Sequence, residues 1–412
     1  MSDRPTTPPR RWAEPFFTVG TTGTNGKTST TFLVAHAMRA AGHRVVVVGT
    51  LGYYIDDEQQ DAERTYAGLL EVLERAAAQG VRHAAIEVTS AALAKGYARR
   101  WRFDLGVFTN LSPDHLQTHG SWEHYLASKA QLFVHLGPGR TAVMNAGDQH
   151  SLYIDQVIPA DVQRLWYWAP SRGPRLCDTD LAAAKVEIDP AGTRVELEPS
   201  PLAEQLGGAL QVRLVGEVFA ENAMAAAAAS LTAGIPADAV VRGLAECPPV
   251  RGRFEVLSRD PTVVVDYAHT PDALERTCDA ARTIARGRVI VVFGAGGNRM
   301  IDKREPMGEA VGARAELAWV TSDNPRHEDP QAIAAAVVRG VERAGRAQVR
   351  VELDRRRAIE AAIEEAAPGD VVVVAGKGHE SGQEIGDEVV PFSDIDEVLR
   401  ITGSVNDGRT SG

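Results

Sequence analysis

The sequence predicts an α/β protein with two successive units, each built around a mostly parallel sheet. All-apolar strand candidates alternate with helical segments in both halves of the 412-residue chain, as in VVVVG at Val45–Gly49 and DVVVVAGKG at Asp370–Gly378. Strands of this composition are typical of sheets covered by helices on both faces. Between the two series, PPVRGRFE at Pro248–Glu255 has the proline and glycine content of a hinge.

The first unit is predicted to be a central P-loop ATPase domain with an antiparallel annex. The strand FFTV leads into the glycine-rich loop GTTGTNGKTST, and KVEIDPAGTRVELEP predicts a hairpin around Asp189–Gly192. The second unit is predicted to be a smaller, Rossmann-like α/β domain at the C-terminus. The predicted boundaries are a flexible N-terminus at 1–15, the central ATP-binding domain at 16–247, the hinge at 248–254, the C-terminal domain at 255–400 and a flexible tail at 401–412.

The composition predicts a soluble, cytoplasmic protein. A net charge of −11 argues against a nucleic-acid partner or an anionic membrane surface, although a local pocket can still be basic. The cysteines Cys177, Cys247 and Cys278 follow no metal or disulfide spacing and are expected to be reduced and buried. The first residues lack the apolar stretch of a signal peptide, and no apolar run reaches membrane-spanning length.

The loop GTTGTNGKTST predicts a site for nucleotide phosphates. Its glycines let backbone N–H groups converge on phosphate oxygens at the start of a helix. Lys27 is predicted to reach the outer phosphates as a catalytic residue, and the Thr28 hydroxyl to hold Mg²⁺. The alternative is a plain glycine-rich turn, but Gly-Lys-Thr after an apolar strand disfavours it. ATP and Mg²⁺ are therefore the expected cofactors, bound by Gly23, Thr24, Asn25, Gly26, Lys27 and Thr28.

The variant TGTNGKT resembles the phosphate loop of the Mur ligases and of the related folylpolyglutamate synthases. The resemblance implies an ADP-forming ligase, in which ATP phosphorylates a carboxylate and an amine then displaces the phosphate to form an amide. Motifs between Phe16 and Asp394 follow the family's order and are most similar to its diaminopimelate-adding branch. Because the phosphate loop begins at residue 20, the chain is expected to lack that branch's N-terminal UDP-binding domain.

Three further segments resemble catalytic motifs of the family. The resemblance of IEVTSAAL and FTNLSPDHLQTHG implies that Glu87 and His115 bind Mg²⁺, and that of YLASKAQLF implies that Lys129 is carbamylated by CO₂. Taken alone, these residues would fit a capping acid, a polar loop and a solvated lysine. Two positions depart from the family: Ala91 replaces a histidine, and Gln117 replaces an aspartate.

The same resemblance implies four further nucleotide contacts. Asn222, in LVGEVFAENAMAAAA, matches an adenine contact, although Val218–Phe219 replaces the family's Phe-Asn pair. Arg253, in the hinge, is predicted to reach the phosphates after the two units close. Asp266 and His269, in VVVDYAHTPDALE, match positions that the family uses around the nucleotide. An ordinary helix start and a strand–turn–helix connection are the alternatives.

Three motifs of the second unit resemble segments that hold the amino-acid substrate. TSDNPRHEDP is similar to the DNPR segment of the diaminopimelate-adding ligases, in which an arginine clamps the distal carboxylate. VVVAGKGHE matches the family segment that holds the far end of the same amino acid. FGAGGNRMIDKREPMG carries two cations, Lys303 and Arg304, that are expected to face substrate or phosphate. A turn and a solvated basic segment are the alternatives. The predicted substrate-binding residues are Lys303, Arg304, Asp323, Asn324, Arg326, Gly376 and Glu380.

The acceptor stays open, and three hypotheses remain. The first is a ligase that joins a diaminopimelate-like amino acid to a carboxylate on a muramyl peptide or a smaller acceptor, with a separate protein as a possible source of the acceptor-binding module. The second is a ligase of another pathway, such as polyglutamylation or the synthesis of a specialised metabolite amide. The third is a non-catalytic ATP-binding partner protein, which the retained Lys27, Thr28, Glu87, His115 and Lys129 argue against. Neither the pathway nor the oligomeric state is predicted.

Overall fold

The computed structural model describes residues 13, 15–112, 120–170 and 173–403. Nineteen strands are assigned in these ranges: β1 Phe17–Thr22, β2 Val45–Gly49, β3 Gly52–Ile55, β4 Glu58–Gln60, β5 His83–Glu87, β6 Leu105–Phe108, β7 Thr141–Asn145, β8 Gln163–Trp168, β9 Leu181–Asp189, β10 Gly192–Leu197, β11 Ala209–Val212, β12 Glu255–Arg259, β13 Thr262–Asp266, β14 Val289–Phe293, β15 Leu317–Val320, β16 Gln348–Val351, β17 Val371–Ala375, β18 Gly382–Ile385 and β19 Glu388–Pro391.

Helices connect and cover these strands. They span Lys27–Ala40, Tyr66–Ala78, Ser90–Ala94, Tyr97–Arg100, Trp122–Val134, Gln149–Asp155, Pro201–Gln205, Glu217–Thr232, Ala237–Glu246, Pro271–Ile284, Arg304–Gly312, Pro330–Ala344, Arg355–Glu365 and Asp394–Thr402, with a 3₁₀ turn at Ile301–Lys303. Several begin at the residues that cap helices best. Thr270 accepts a hydrogen bond from the backbone of Ala273 (3.3 Å), and Pro271 occupies the first turn, as the sequence predicts.

The first half folds around an 11-stranded sheet in the order β11-β10-β9-β8-β7-β6-β1-β5-β2-β3-β4. The strands from β9 to β2 in this order run parallel, and antiparallel strands extend both edges. The predicted annex is the β9–β10 hairpin, in which Gly192 pairs with Asp189. A second antiparallel extension, β3 and β4, is not predicted by the sequence analysis. The predicted α/β class with an antiparallel annex is thus confirmed.

The second half folds around a smaller sheet with the order β12-β13-β17-β14-β15-β16. Only its edge strand β12 is antiparallel to its neighbour, and β17, the VVVVA strand, is buried along its whole length at the centre. An additional hairpin, β18–β19, follows the glycine-rich end of β17. This arrangement confirms the predicted Rossmann-like α/β unit.

The cores of both halves are apolar and tightly packed. The helix Glu217–Thr232 is buried over most of its length, and seven of its residues are small alanines that allow close packing. Cys247 and Cys278 are buried and Cys177 is half-buried, and none of the three forms a disulfide. Within the described part of the chain, no helix is both long and apolar enough to cross a membrane.

The predicted flexible ends fall mostly outside the described residues, with two differences. Ala13 is buried in the core of the first half, because Phe16 and its neighbours pack there. The last helix continues through Thr402, two residues beyond the predicted start of the tail, and Ile401 packs against the core of the second half. The proposed domain boundaries at 16–247, 248–254 and 255–400 otherwise stay predictions.

A buried ion pair fastens the last helix to the second half. Arg355 donates from Nε and Nη2 to the two carboxylate oxygens of Asp394, both at 2.7 Å, and both side chains are fully buried. Arg355 Nη2 also donates to the carbonyl of Ala375 (2.9 Å) at the end of β17. The guanidinium therefore supports the loop that follows β17.

Candidate active site

The phosphate loop joins β1 to the helix that begins at Lys27. Gly26 precedes this helix in the left-handed region, with φ 83°, which glycine adopts without strain. A Cβ on Gly26 would collide with Oδ1 of Asn222, and a Cβ on Gly23 would collide with Oγ1 of Thr109. Glycine is thus required at these two positions by both backbone angle and close packing.

Glu87 lies at the end of β5 and is buried beneath the phosphate loop. Its carboxylate accepts hydrogen bonds from Thr28 Oγ1 (2.9 Å), from the Thr50 hydroxyl (2.9 Å) and from the Thr50 backbone N–H (3.0 Å), and its Oε1 lies 3.9 Å from Lys27 Nζ. Burial alone would raise the pKa of Glu87, but Lys27, the Thr50 donors and Arg253 hold this pKa below its usual value. The carboxylate is therefore ionised at neutral pH.

The oxygens of Thr28 and Glu87 suit a hard divalent cation. Mg²⁺ prefers oxygen ligands and is commonly held by one or two carboxylate or hydroxyl groups together with substrate phosphates and water. Thr28 and Glu87 meet this requirement, since their oxygens converge beside the phosphate loop at 2.9 Å. His115 and Gln117 lie outside the described residues, so the predicted third ligand has no structural account.

Lys129 is buried directly behind the phosphate loop. Its side chain comes from the helix Trp122–Val134, it is 1% exposed, and its Nζ donates to the carbonyl of Gly23 (2.6 Å). The same nitrogen lies 4.6 Å from the centre of the Tyr125 ring. The solvated helical lysine of the alternative interpretation is therefore wrong.

The loop is also fixed by residues that the sequence analysis does not identify. Asn110 accepts a hydrogen bond from the Asn25 backbone (3.0 Å) and donates to the Asn25 carbonyl (3.0 Å), which also accepts from Thr109 Oγ1 (2.6 Å). Thr24 shares a hydrogen bond with the Tyr125 hydroxyl (3.0 Å). The polar residues of FTN at the end of β6 are the signal that identifies Thr109 and Asn110, since β6 is the direct neighbour of β1.

A cleft of about 290 Å³ opens between the two halves above the phosphate loop. One wall comes from the first half and the other from the second, and Asn25 Nδ2 crosses the cleft to Asp272 Oδ2 (2.9 Å). The walls include many predicted site residues and the pair that replaces the family's Phe-Asn. These residues are Thr24, Asn25, Gly26, Lys27, Thr28, Glu87, Val218, Phe219, Asn222, Arg253, Asp266 and His269. The structure therefore brings together nearly all of the predicted nucleotide-binding residues.

Arg253 reaches from the hinge into the first half. Its Nη2 donates to Thr28 Oγ1 (3.2 Å), and its guanidinium lies over the ring of Tyr267 at 4.5 Å. Asp266 is bonded within the second half: it accepts from the backbone of Phe254 (2.7 Å) and from Thr277 Oγ1 (2.9 Å). Asp266 thus holds Phe254, the last residue of the predicted hinge, against the end of β13. The sequence motif does not predict this structural role.

A second polar cluster follows β15 and β17 in the second half. Asn324 Nδ2 donates to Glu380 Oε2 (3.1 Å), and the fully buried Lys377 Nζ donates to both Asn324 Oδ1 (2.9 Å) and Glu380 Oε2 (3.0 Å). These bonds fix the orientation of the Asn324 amide and of the Glu380 carboxylate. The sequence motifs do not predict a role for Lys377. Its position two residues after the buried strand β17 is the signal that could have identified it.

Arg326 borders the same cluster in a strained backbone conformation. Its φ is 53°, which non-glycine residues rarely adopt, and such strain is concentrated at functional sites. Its Nε donates to Glu384 Oε2 (2.5 Å), and its Nη1 donates to the carbonyl of Gly297 (2.8 Å). The guanidinium is therefore held in one orientation, and among the described residues no hydrogen bond from its Nη2 is found.

The other predicted substrate residues differ in their placement. Gly376 has φ 118°, and a Cβ there would lie 2.6 Å from Asp323 Oδ2, so the loops after β15 and β17 meet at this point. Lys303 Nζ donates to the carbonyl of His269 (3.1 Å), at the margin of the nucleotide cleft. Arg304 is buried, and its Nη2 donates to both carboxylate oxygens of Glu328 (2.9 and 2.8 Å). Its predicted contact with substrate or phosphate stays a prediction.

Two family models match the chain. The Mur ligase middle domain matches residues 21–230, and the Mur ligase glutamate ligase domain matches residues 252–378. The UDP-N-acetylmuramoyl-L-alanyl-D-glutamate–2,6-diaminopimelate ligase of Bacillus velezensis is 38% identical over 399 residues, which cover 94% of this chain and 78% of the relative. The ligase of the same name from Synechococcus elongatus is 40% identical, covering 91% of this chain and 74% of its own length.

Solved structures agree with these matches. A structure of a ligase of that name has a TM-score of 0.65 at 34% identity and covers 94% of this chain and 79% of its own. The folylpolyglutamate synthase of Mycobacterium tuberculosis, complexed with ADP and AMPPCP, has a TM-score of 0.69 at 21% identity over 89% of each chain, and it shares the fold. The chain therefore belongs to the Mur ligase family and is an ATP-dependent, ADP-forming ligase that joins a carboxylate to an amine.

Proposed function

We propose that this ligase adds a diaminopimelate-like amino acid to the carboxylate of a muramyl peptide or of a smaller acceptor. The observation that carries the proposal is the cluster of Asn324, Arg326 and Glu380. A guanidinium beside a carboxylate suits a zwitterionic head group, since Arg326 can pair with a carboxylate and Glu380 with an ammonium. The relatives named above act on 2,6-diaminopimelate, which carries such a head group at its distal end.

The proposed reaction has two steps, and the residues of the nucleotide cleft serve the first. The acceptor carboxylate attacks the terminal phosphorus of ATP, ADP leaves, and an acyl phosphate forms. Lys27, and Arg253 from the other half, stabilise the negative charge of the phosphoryl group in transit. Thr28 and Glu87 would hold Mg²⁺ through their oxygens, and the cation would supply positive charge beside the phosphates. The amine of the amino acid then attacks the acyl carbon, and inorganic phosphate leaves with the electron pair of the broken C–O bond.

Lys129 is proposed to carry a carbamate. Buried lysines are the ones whose amines act as nucleophiles in proteins, and an amine that attacks CO₂ forms a carbamate. A carbamate keeps one N–H, so the hydrogen bond to Gly23 can persist while the new carboxylate extends toward the phosphates. The test is the ¹³C signal of the protein equilibrated with ¹³C-bicarbonate, compared between the native chain and Lys129→Ala. Full activity of Lys129→Ala would refute this role.

The acceptor is tested by ADP release with meso-diaminopimelate and a panel of acceptors. The panel holds UDP-N-acetylmuramoyl-L-alanyl-D-glutamate, the same muramyl dipeptide without UDP, and free γ-carboxylate dipeptides. Turnover restricted to the UDP compound supports a role in cell-wall synthesis, and turnover that needs a second protein supports a separate acceptor-binding module. Turnover only with another amino acid, such as glutamate, would refute the proposed specificity and favour a ligase of another pathway.

A further inference from the structure

His379 lies in the loop after β17, directly before Glu380. Its ring packs on the ring of Tyr267, with centroids 5.1 Å apart. Its Nδ1 is buried and has no hydrogen-bond partner among the described residues. Buried polar atoms in folded proteins nearly always have partners, so an unpaired nitrogen calls for an explanation.

His379 stands between the nucleotide cleft and the amino-acid cluster. On one side, the Tyr267 ring that it contacts also carries the guanidinium of Arg253, which binds Thr28 beside the phosphate loop. On the other side, the next residue, Glu380, binds the amide of Asn324. In the proposed reaction the acyl phosphate forms at the first of these places and the amino acid binds at the second, and the loop that carries His379 lies between them.

The surroundings of His379 keep its imidazole uncharged. Burial, Arg253, Arg64 and Arg251 lower the pKa of His379 to about 4, against the opposing effect of Glu87. Tyr267, just after β13, and His269, packed on Tyr267, are further titratable groups near the ring. Lys377 and Glu380, which bond to each other, flank it in its own loop. At neutral pH the imidazole is therefore free to accept a hydrogen bond or a proton.

We propose that Nδ1 of His379 accepts the proton that the amino-acid nitrogen loses during amide formation. The inference deepens the proposed function and rests on it. The neutral amine attacks the acyl carbon, a C–N bond forms, and the nitrogen becomes positively charged. One N–H proton of this adduct moves to Nδ1, the C–O bond to phosphate breaks, and phosphate leaves with the electron pair. The nitrogen of such an adduct is far more acidic than a free ammonium, so a weakly basic imidazole suffices.

The test compares two nucleophiles in the native chain and in His379→Gln. Hydroxylamine traps the acyl phosphate as a hydroxamate, and its nitrogen is unprotonated and readily loses its proton to water. With UDP-N-acetylmuramoyl-L-alanyl-D-glutamate, ATP and meso-diaminopimelate, His379→Gln is expected to lower kcat for amide formation about 10²–10³-fold, as for loss of a general base. Hydroxamate formation is expected to stay within about twofold of the native rate, because the first half-reaction needs no base.

The pH profile supplies a second readout. In the native chain the rate of amide formation should level off once the amine is neutral, whereas the remaining rate in His379→Gln should keep increasing with pH, because hydroxide then takes the proton. The matched control is His43→Gln. His43, just before β2, stacks on His83, the first residue of β5, at the amino ends of two parallel strands and away from the cleft. This variant should keep both rates.

Each contrary result is informative. Equal losses with both nucleophiles in His379→Gln and His379→Asn would overturn the proposal, because the ring would then only hold the loop in place. Unchanged amide formation in His379→Gln would overturn it as well. Absence of both hydroxamate and amide in the native chain with every acceptor of the panel would instead refute the proposed function, and this inference with it.

Discussion

The nucleotide side and the amino-acid side of the active site hold their charged groups in different ways. Lys27, Thr28 and Glu87 come from the first half, yet Arg253 and Asp272 of the second half complete the site across the cleft. The amino-acid cluster is built within the second half alone, and its members are bonded to one another. The nucleotide side therefore depends on the closed arrangement of the halves, whereas the amino-acid side is preorganised by its own loops.

The largest effect is expected for a substitution on the nucleotide side, in the phosphate loop. Lys27→Ala should lower kcat for ADP release about 10²–10³-fold, the usual result of removing one group that stabilises transition-state charge. The melting temperature should change little, since such groups act mainly in the transition state. Coupled ADP release and a thermal melt measure the two quantities. The exposed Lys95→Ala is the matched control, and near-normal turnover of Lys27→Ala would contradict the mechanism.

A smaller and more selective effect is expected in the amino-acid cluster. Arg326→Lys removes the Nη2 group that the proposed function assigns to the substrate carboxylate, since Nε and Nη1 are bonded to Glu384 and Gly297. A charged hydrogen bond contributes about 1.5–3 kcal/mol, so KM for meso-diaminopimelate should increase about 10–100-fold. KM for ATP should stay unchanged because this cluster does not depend on the cleft. Arg339→Lys, at an exposed ion pair with Glu305, serves as the control, and an equal increase in KM for ATP would refute the independence of the two sides.

A still smaller effect is expected for the contact that joins the halves. Asp272→Ala removes the acceptor of Asn25 Nδ2 and the partner of Arg276. A net hydrogen bond contributes about 1 kcal/mol, so KM for ATP should increase about fivefold with little change in kcat. Asp279→Ala, on the same helix but at a surface ion pair with Arg314, should leave KM unchanged. The same shift in both variants would show that the helix, and not the contact across the cleft, is responsible.

The smallest effect concerns pH. The pKa of Glu87 is lower in the folded chain than in the unfolded one, so its ionised form contributes stability that is present above the unfolded pKa of about 4.3 and is lost as pH falls through the folded pKa. The difference in melting temperature between the native chain and Glu87→Gln should thus be constant from pH 8 to about 5 and shrink at lower pH. A difference that already shrinks between pH 7 and 6 would mean that the Glu87 pKa is raised instead.

The sequence predicts the nucleotide side better than the amino-acid side, for a physical reason. The phosphate loop is one continuous segment between a strand and a helix, so Gly26, Lys27 and Thr28 are adjacent in the chain as well as in space. The amino-acid cluster depends on contacts between distant loops. The pairing of Lys377 with Asn324, or of Arg304 with Glu328, follows from the register of the sheet and leaves no local pattern.

Thr50 and Asp266 illustrate the same limit in the fold. Thr50 donates twice to Glu87 because β2 and β5 are neighbours in the sheet. This contact depends on the strand order, which the motif around Glu87 does not reveal. Asp266 fits the pattern of a nucleotide-binding acid, but its oxygens are already bonded to Phe254 and Thr277. The type and order of the elements could be predicted from hydrophobic patterns, whereas the partner of a polar side chain requires the three-dimensional arrangement.

The buried pair of Arg355 and Asp394 constrains how this protein can diverge over time. Replacing one partner alone would leave an uncompensated buried charge, at a cost of about 3–5 kcal/mol. Natural domains have only about 5–15 kcal/mol of stability in total, so a lineage that took this single step would lose much of its folded population. An apolar pair of similar volume can be as stable, but it is reached only by two simultaneous substitutions. Descendants of this chain should therefore keep both residues together even where the substrate changes.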